Sequence, residues 1–81
     1  MEKVYVPVVV RIDENGKYEP KVIEFEGKQF LVDKVLDSCR AACQSVGGVC
    51  IRYTCVVLGK VTELWEEKGR WFVVAKGGNN L

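Results

Sequence analysis

Apolar and polar residues alternate along most of this chain, which is typical of strands that bury one face. The first run, residues 3–12, has valine at every second position and ends with Ile12. Five later runs are rich in β-branched and aromatic residues: 18–26, 29–36, 51–58, 61–67 and 70–76. Short segments with turn-forming residues separate most of these runs, which predicts six strands joined mainly by tight turns.

A strongly curled sheet is the most economical arrangement for these strands. The chain has 81 residues, and a domain of this size buries only a thin core. Curling gives each strand an inner face and leaves few unpaired edges. We therefore predict a mainly β fold, a six-stranded meander curled into a small SH3-like barrel. One domain should cover 1–76, with a flexible tail at 77–81.

The segment 33–48 permits a second interpretation. Its apolar residues fall at helical spacing, with Asp33 able to cap the start of a helix and Gly47 its end. These residues are Val35, Leu36, Cys39, Cys43 and Val46. One alternative is a short helix near 37–46, and the other extends the third strand through Leu36 into a loop. The sequence leaves both open.

Charge and composition exclude several classes of function. Twelve Lys and Arg against eleven Asp and Glu give a formal net charge of +1, so no strong attraction to nucleic acid or anionic membranes is expected. Histidine is absent, which removes Ser–His and Cys–His catalytic arrangements. We therefore do not expect an enzyme. The short N-terminal apolar run contains Pro7 and lacks a basic leader, so we expect a cytoplasmic protein with no membrane contact.

The chain concentrates its cysteines in one region, at Cys39, Cys43, Cys50 and Cys55. A cage of four thiolates would bind zinc, but this spacing lacks the C-x2-C knuckle typical of such sites. In a regular strand Cys50 and Cys55, five residues apart, would point to opposite faces of the sheet. Buried thiols also behave as small apolar residues. We favour free thiols in the core, with a zinc site, disulfides or redox chemistry as alternatives, and we predict no cofactor.

Two arginines each precede an aromatic residue, in the pairs Arg52-Tyr53 and Arg70-Trp71. An exposed aromatic surface flanked by arginines can stack unpaired bases, as small barrels do. These four residues are the candidate nucleic-acid-binding set. The competing interpretation places Tyr53, Trp65 and Trp71 in the core, and a thin core favours it because it needs aromatic residues inside.

Several segments are similar to a family of small proteins from anaerobic Gram-positive bacteria that has no assigned activity. The matching pieces are Phe25 to Asp37, Gly47, Gly48, Arg52 to Cys55 and Arg70 to Val73. Cys39, Cys43 and Cys50 are not part of that pattern, so the resemblance implies no metal site. The Gly-Lys hairpin and the late tryptophan are also similar to a small domain encoded near translesion DNA polymerase genes, which implies a DNA-processing setting.

These observations favour a non-catalytic binding domain. The expected partner is another protein, or a second copy that pairs through the valine-rich first strand or another exposed edge. A nucleic-acid-binding barrel is the alternative, and a thiolate zinc domain is the second alternative.

Overall fold

A computed structural model describes residues 2–42 and 49–75 of the chain. These residues form seven strands and no helix. The strands are β1 (Glu2–Tyr5), β2 (Val8–Ile12), β3 (Tyr18–Phe25), β4 (Lys28–Ala42), β5 (Val49–Val57), β6 (Lys60–Glu67) and β7 (Arg70–Ala75). The expected tail at 77–81 lies outside the described residues.

The first apolar run forms two strands, so the prediction of six strands is wrong by one. The main chain changes partner at Pro7, which has no N–H to donate and often marks a break in strand pairing. Before it, β1 pairs with β7, and the Val6 N–H donates to the Trp71 carbonyl at 2.9 Å. After it, β2 pairs with β3, and the Glu24 N–H donates to the Pro7 carbonyl at 2.9 Å.

All seven strands belong to one antiparallel sheet with the order β1-β7-β6-β5-β4-β3-β2. The sheet curls into a half-barrel, as the prediction of a small barrel-like fold requires. Its two edge strands, β1 and β2, are consecutive in the chain, so the sheet edges approach each other at Pro7. Register shifts in β4 between Val32 and Lys34 and between Val35 and Asp37 mark bulges, which bend a strand and increase its twist.

The short helix predicted near 37–46 is wrong for the residues that the structure describes, because β4 continues to Ala42. Residues 43–46 lie outside the described part. Across this stretch β4 pairs with β5, with Cys39 opposite Arg52 and Ala41 opposite Cys50. The helical spacing of apolar residues is therefore overridden by pairing with a neighbouring strand, a common outcome for short segments.

The inner face of the half-barrel carries the main hydrophobic core. Its buried members come from four strands, β3, β5, β6 and β7, and from the link between β1 and β2. They are Val6, Ile23, Tyr53, Cys55, Val57, Leu64, Trp71 and Val73. Partly buried side chains from β1 to β5 pack around them, so the core joins the two ends of the sheet. The Trp71 ring lies 5.1 Å from that of Tyr53 and 6.2 Å from that of Tyr18, measured between centroids.

Tight turns connect the consecutive strands from β3 to β4 and from β5 to β7. Each has two central residues with positive φ: Glu26-Gly27, Leu58-Gly59 and Lys68-Gly69. Positive φ at both positions is typical of the type I′ turn, whose twist matches that of a hairpin. The turn between β6 and β7 also shapes the surface, because Gly69 and the adjoining Arg70 form one wall of a groove.

Candidate functional site

The residues proposed for nucleic-acid binding do not share one face of the sheet. Tyr53 and Trp71 point into the core and are 6% and 7% exposed. Arg52 and Arg70 precede them directly in the chain, and strand alternation turns their side chains to the outer face. The structure therefore brings the two arginines to one face of the sheet and separates them from the rings beside which they stand in the sequence.

On the outer face, the arginines stack on different aromatic rings. The Arg70 guanidinium lies 3.9 Å from the centroid of the Tyr5 ring, and the Arg52 guanidinium lies 5.9 Å from that of Trp65. Between these pairs, Phe72 stacks on Trp65 at 5.9 Å and meets the edge of Tyr5 at 5.5 Å. We call these residues the outer row: Cys39, Arg52, Trp65, Phe72 and Tyr5, each opposite the next on neighbouring strands.

The outer row forms a second hydrophobic layer. Phe72 is only 1% exposed although it is outside the main core. The Lys3 ammonium lies 4.8 Å from the Phe72 ring centroid and 3.3 Å from a Glu67 carboxylate oxygen, which closes one side of the row. The Arg52 Nε and Trp65 Nε1 atoms are buried without a hydrogen-bond partner among the described residues. Packing therefore governs this surface more than polar recognition does.

The sequence did not indicate Tyr5 or Phe72 as members of a surface cluster, and Trp65 was expected in the core. A usable signal was present, because Trp65 and Phe72 have the opposite parity to Leu64 and Trp71 on their strands. What the sequence lacked was the register that places Trp65 opposite Phe72, and Phe72 opposite Tyr5.

A groove opens where the half-barrel fails to close. After Pro7, β2 diverges from the start of β7, and the space between them is about 540 Å³. One wall is formed by Val8, Val10 and Ile12 of β2, and the other by Gly69 and Arg70. Tyr5, Val6, Pro7, Tyr18 and Trp71 also line this space. We call it the edge groove, since its first wall is the end strand of the sheet.

The edge groove offers both a free strand edge and a cation. β2 is the last strand of the sheet, so its outer edge has no strand partner in the described part of the chain. Arg70 is exposed and makes no ion pair within the described residues, where its contact is the Tyr5 ring. Two exposed apolar side chains of β2, Val9 and Ile12, are each 58% exposed, and only Ile12 lines the groove.

A second cleft, of about 550 Å³, lies between the β2–β3 hairpin and β4. Two of its carboxylates are already engaged. Hydrogen bonds from the Lys17 and Asn15 main-chain N–H groups lower the pKa of Asp13. A hydrogen bond and charge attraction from Lys21, with help from Arg11, lower the pKa of Glu19. These contacts hold the turn and the hairpin together, so the cleft is a weaker candidate for a binding site.

The cysteines divide between the two faces of the sheet. Cys55 is fully buried in the core, whereas Cys39 lies on the outer face with its Sγ atom 3.5 Å from Arg52 Nη2. Both are free thiols, and because they lie on opposite faces they cannot bind the same ion. Cys50 is disulfide-bonded, so the favoured interpretation of free thiols is wrong for it. This bond agrees with the alternative prediction that some of the cysteines form disulfides. Cys43 lies outside the described residues.

The described residues contain no group of three or more potential ligands placed to hold a metal ion. The zinc interpretation thus gains no geometric support within this part of the chain.

Burial of Cys55 predicts that stability falls in alkaline solution. Burial raises the pKa of this thiol from 9.0 to about 11. Between these values the folded protein keeps a proton that the unfolded chain releases, so stability present below pH 9 is lost as the pH rises toward 11. We expect the urea midpoint to fall between pH 8 and pH 10.5, measured in a Cys39→Ala background that removes the other free thiol of the described residues.

Cys55→Ala in the same background is the control, and its midpoint should fall less over this range. Part of the decline should persist, because burial also raises the pKa of Tyr53. Equal declines in the two proteins would show that Cys55 does not contribute.

Comparisons with known proteins identify no relative. No protein-family model, no curated protein and no solved structure matches this chain. The described part of the chain also contains no apolar helix of membrane-spanning length. The resemblance drawn from the sequence remains a prediction, and the case for a function rests on the geometry of the edge groove.

Proposed function

We propose that this chain is a protein-binding domain that accepts a polypeptide partner in the edge groove. The observation that carries the proposal is an outer edge of β2 that no strand covers in the described part of the chain, with an apolar and aromatic groove beside it. A free edge supplies main-chain hydrogen-bonding groups, and an adjacent groove supplies contacts for alternate side chains. These are the two components of binding by strand addition.

Burial of the groove residues supports the same proposal. The floor is rigid, because Trp71 and Val6 are 7% and 8% exposed and belong to the main core. Ile12 remains exposed at the rim, where a partner would cover it. A rigid floor lowers the entropic cost of binding, since the protein's own surface does not have to be ordered when a segment binds.

We also propose a specific type of barrel and a cellular location for this domain. An SH3-like barrel is the finer fold we propose; such domains dock peptides in aromatic-lined grooves, although as polyproline II helices and not as added strands. A cytoplasmic location is also part of the proposal, although Cys50 is disulfide-bonded and reducing compartments rarely maintain such bonds.

A selection from a library of random displayed peptides tests the proposed function. We expect the immobilised protein to enrich peptides whose affinity falls at least tenfold when Ile12→Lys places a charged chain at the groove. The control is Val9→Lys, because Val9 is equally exposed on the same strand and does not line the groove. Circular dichroism should show that both variants remain folded.

Enrichment of no peptide would contradict the proposal, as would equal losses in the two variants. The polypeptide partner could also be a second copy of this chain. Light scattering across a concentration series detects such self-association. A dimer that Ile12→Lys dissociates and Val9→Lys preserves would place the second copy in the edge groove.

A second candidate function is binding of unpaired nucleic acid on the outer row. It is favoured by Arg70 and Arg52, which stack on Tyr5 and Trp65. Unpaired bases can stack on such arginine and aromatic groups. The near-neutral net charge and the neighbouring Glu67 weigh against it. Titration of a fluorescent single-stranded oligonucleotide at low salt separates the functions. Arg52→Ala should weaken this binding and leave peptide binding in the groove unchanged, because Arg52 does not line the groove.

A further inference from the structure

We infer that the occupant of the edge groove is a single extended peptide segment that carries a carboxylate next to Arg70. This inference rests on the proposed function and specifies the chemistry of the partner. Three observations lead to it: the walls of the groove, the alternation of its lining residues, and the position of the Arg70 charge.

The walls of the groove are better suited to a single added strand than to the edge strand of a second folded copy. The groove is bounded by β2 on one side and by Gly69 and Arg70 on the other. In a second copy, β2 is flanked by its own β3, so pairing of two β2 strands would bring a two-stranded ribbon against that wall. Adjacent strands lie about 4.8 Å apart, and a single added strand needs only one such spacing beside β2.

The lining of β2 sets the pattern of the segment. Val8, Val10 and Ile12 line the groove, whereas Val9 and Arg11 do not. A strand added to β2 would also direct every second side chain toward the floor formed by Tyr18 and Trp71. Because these surfaces are apolar or aromatic, the segment should have apolar residues at alternate positions.

Arg70 determines the charge of the segment. Its guanidinium is held over the Tyr5 ring at 3.9 Å, at the wall of the groove. The nearby carboxylates are engaged elsewhere, since Glu66 accepts a hydrogen bond from the Gly69 N–H at 2.6 Å and Glu67 pairs with Lys3. A carboxylate on the partner would therefore meet a positioned cation that has no ion pair in the described part of the chain.

Three fluorescent pentapeptides, acetylated and amidated at their ends, test the inference by polarisation. They are Val-Glu-Val-Glu-Val, Val-Gln-Val-Gln-Val and Val-Lys-Val-Lys-Val. We expect the glutamate peptide to bind about twofold to fivefold more tightly than the glutamine peptide, the range of a solvent-exposed ion pair. The lysine peptide should bind most weakly. Arg70→Gln should abolish the preference, and Arg52→Gln, the control on the outer row, should preserve it.

A backbone substitution tests the extended conformation. N-methylation of the peptide amides that face β2 should abolish binding, and methylation of those that face away should have little effect, because only one edge of an added strand pairs. Equal effects of the two methylation patterns would overturn strand addition.

The outcomes separate this inference from the proposed function. If displayed peptides bind in an Ile12-dependent manner but show no dependence on Arg70 or on a carboxylate, the inference fails and the proposed function stands. If no peptide binds at the groove, both fail. A dimer that Ile12→Lys dissociates would also overturn the inference, since it would place a second copy in the groove.

Discussion

Replacing Phe72 by alanine should lower the free energy of unfolding by about 3–5 kcal/mol, as truncation of a core phenylalanine does. Phe72 lies outside the main core, on the face of the sheet that the alternating pattern assigns to solvent. It is nonetheless 1% exposed, because Trp65 stacks on it, Tyr5 meets its edge and Lys3 covers it. The measurement is equilibrium urea unfolding followed by circular dichroism.

Leu31→Ala provides a matched control for this prediction. Leu31 also lies outside the main core, on β4, but it is 70% exposed, so its truncation should change stability by less than about 0.5 kcal/mol. Similar small losses in both variants would show that the outer row does not contribute to stability. That result would also remove the physical basis for treating it as a packed layer.

The second large effect is expected at Leu64, where substitution by alanine should cost about 2–5 kcal/mol. Leu64 is 0% exposed and belongs to the main core, on the opposite face of β6 from Trp65. An 81-residue domain has a thin core and a total stability of only several kcal/mol. We therefore expect Leu64→Ala to be largely unfolded at 37 °C, which thermal unfolding will measure.

Val61→Ala on the same strand is the appropriate control. Val61 is 67% exposed, and its truncation should leave the melting temperature within a few degrees of the original value. A stable Leu64→Ala variant would mean that the inner face is not the main source of stability. Comparison of the Phe72 and Leu64 variants then gives the relative contributions of the two faces of the sheet.

Side chains pack on both faces of the sheet, and for this reason only part of the candidate site could be predicted from the sequence. Arg52 and Arg70 were selected because each stands beside an aromatic residue in the chain. In a strand, neighbours in sequence point to opposite faces, so Tyr53 and Trp71 lie in the core and cannot complete that surface. The rings that accompany the arginines are Trp65, from β6, and Tyr5, from β1.

The edge groove depends on relations that are still more distant in sequence. It joins β2 to the turn before β7, and the break at Pro7 creates it by sending β1 and β2 to opposite ends of the sheet. The valine-rich first strand was expected to provide an exposed edge, and β2 is an edge strand of the sheet. Nothing in the local sequence indicated that β2 and β7 diverge, and it is this divergence that turns the edge into a groove.

By itself, the sequence determined the mainly β class, most of the strands and the tight turns, because these depend on alternation and on residues such as glycine that permit positive φ. Tertiary structure alone decided that 37–42 is strand, that Phe72 is buried, and where the half-barrel stays open. Each of these depends on which strands pair and in what register, and pairing joins residues that are far apart in the chain. The candidate function belongs to this second group, since a groove exists only between strands.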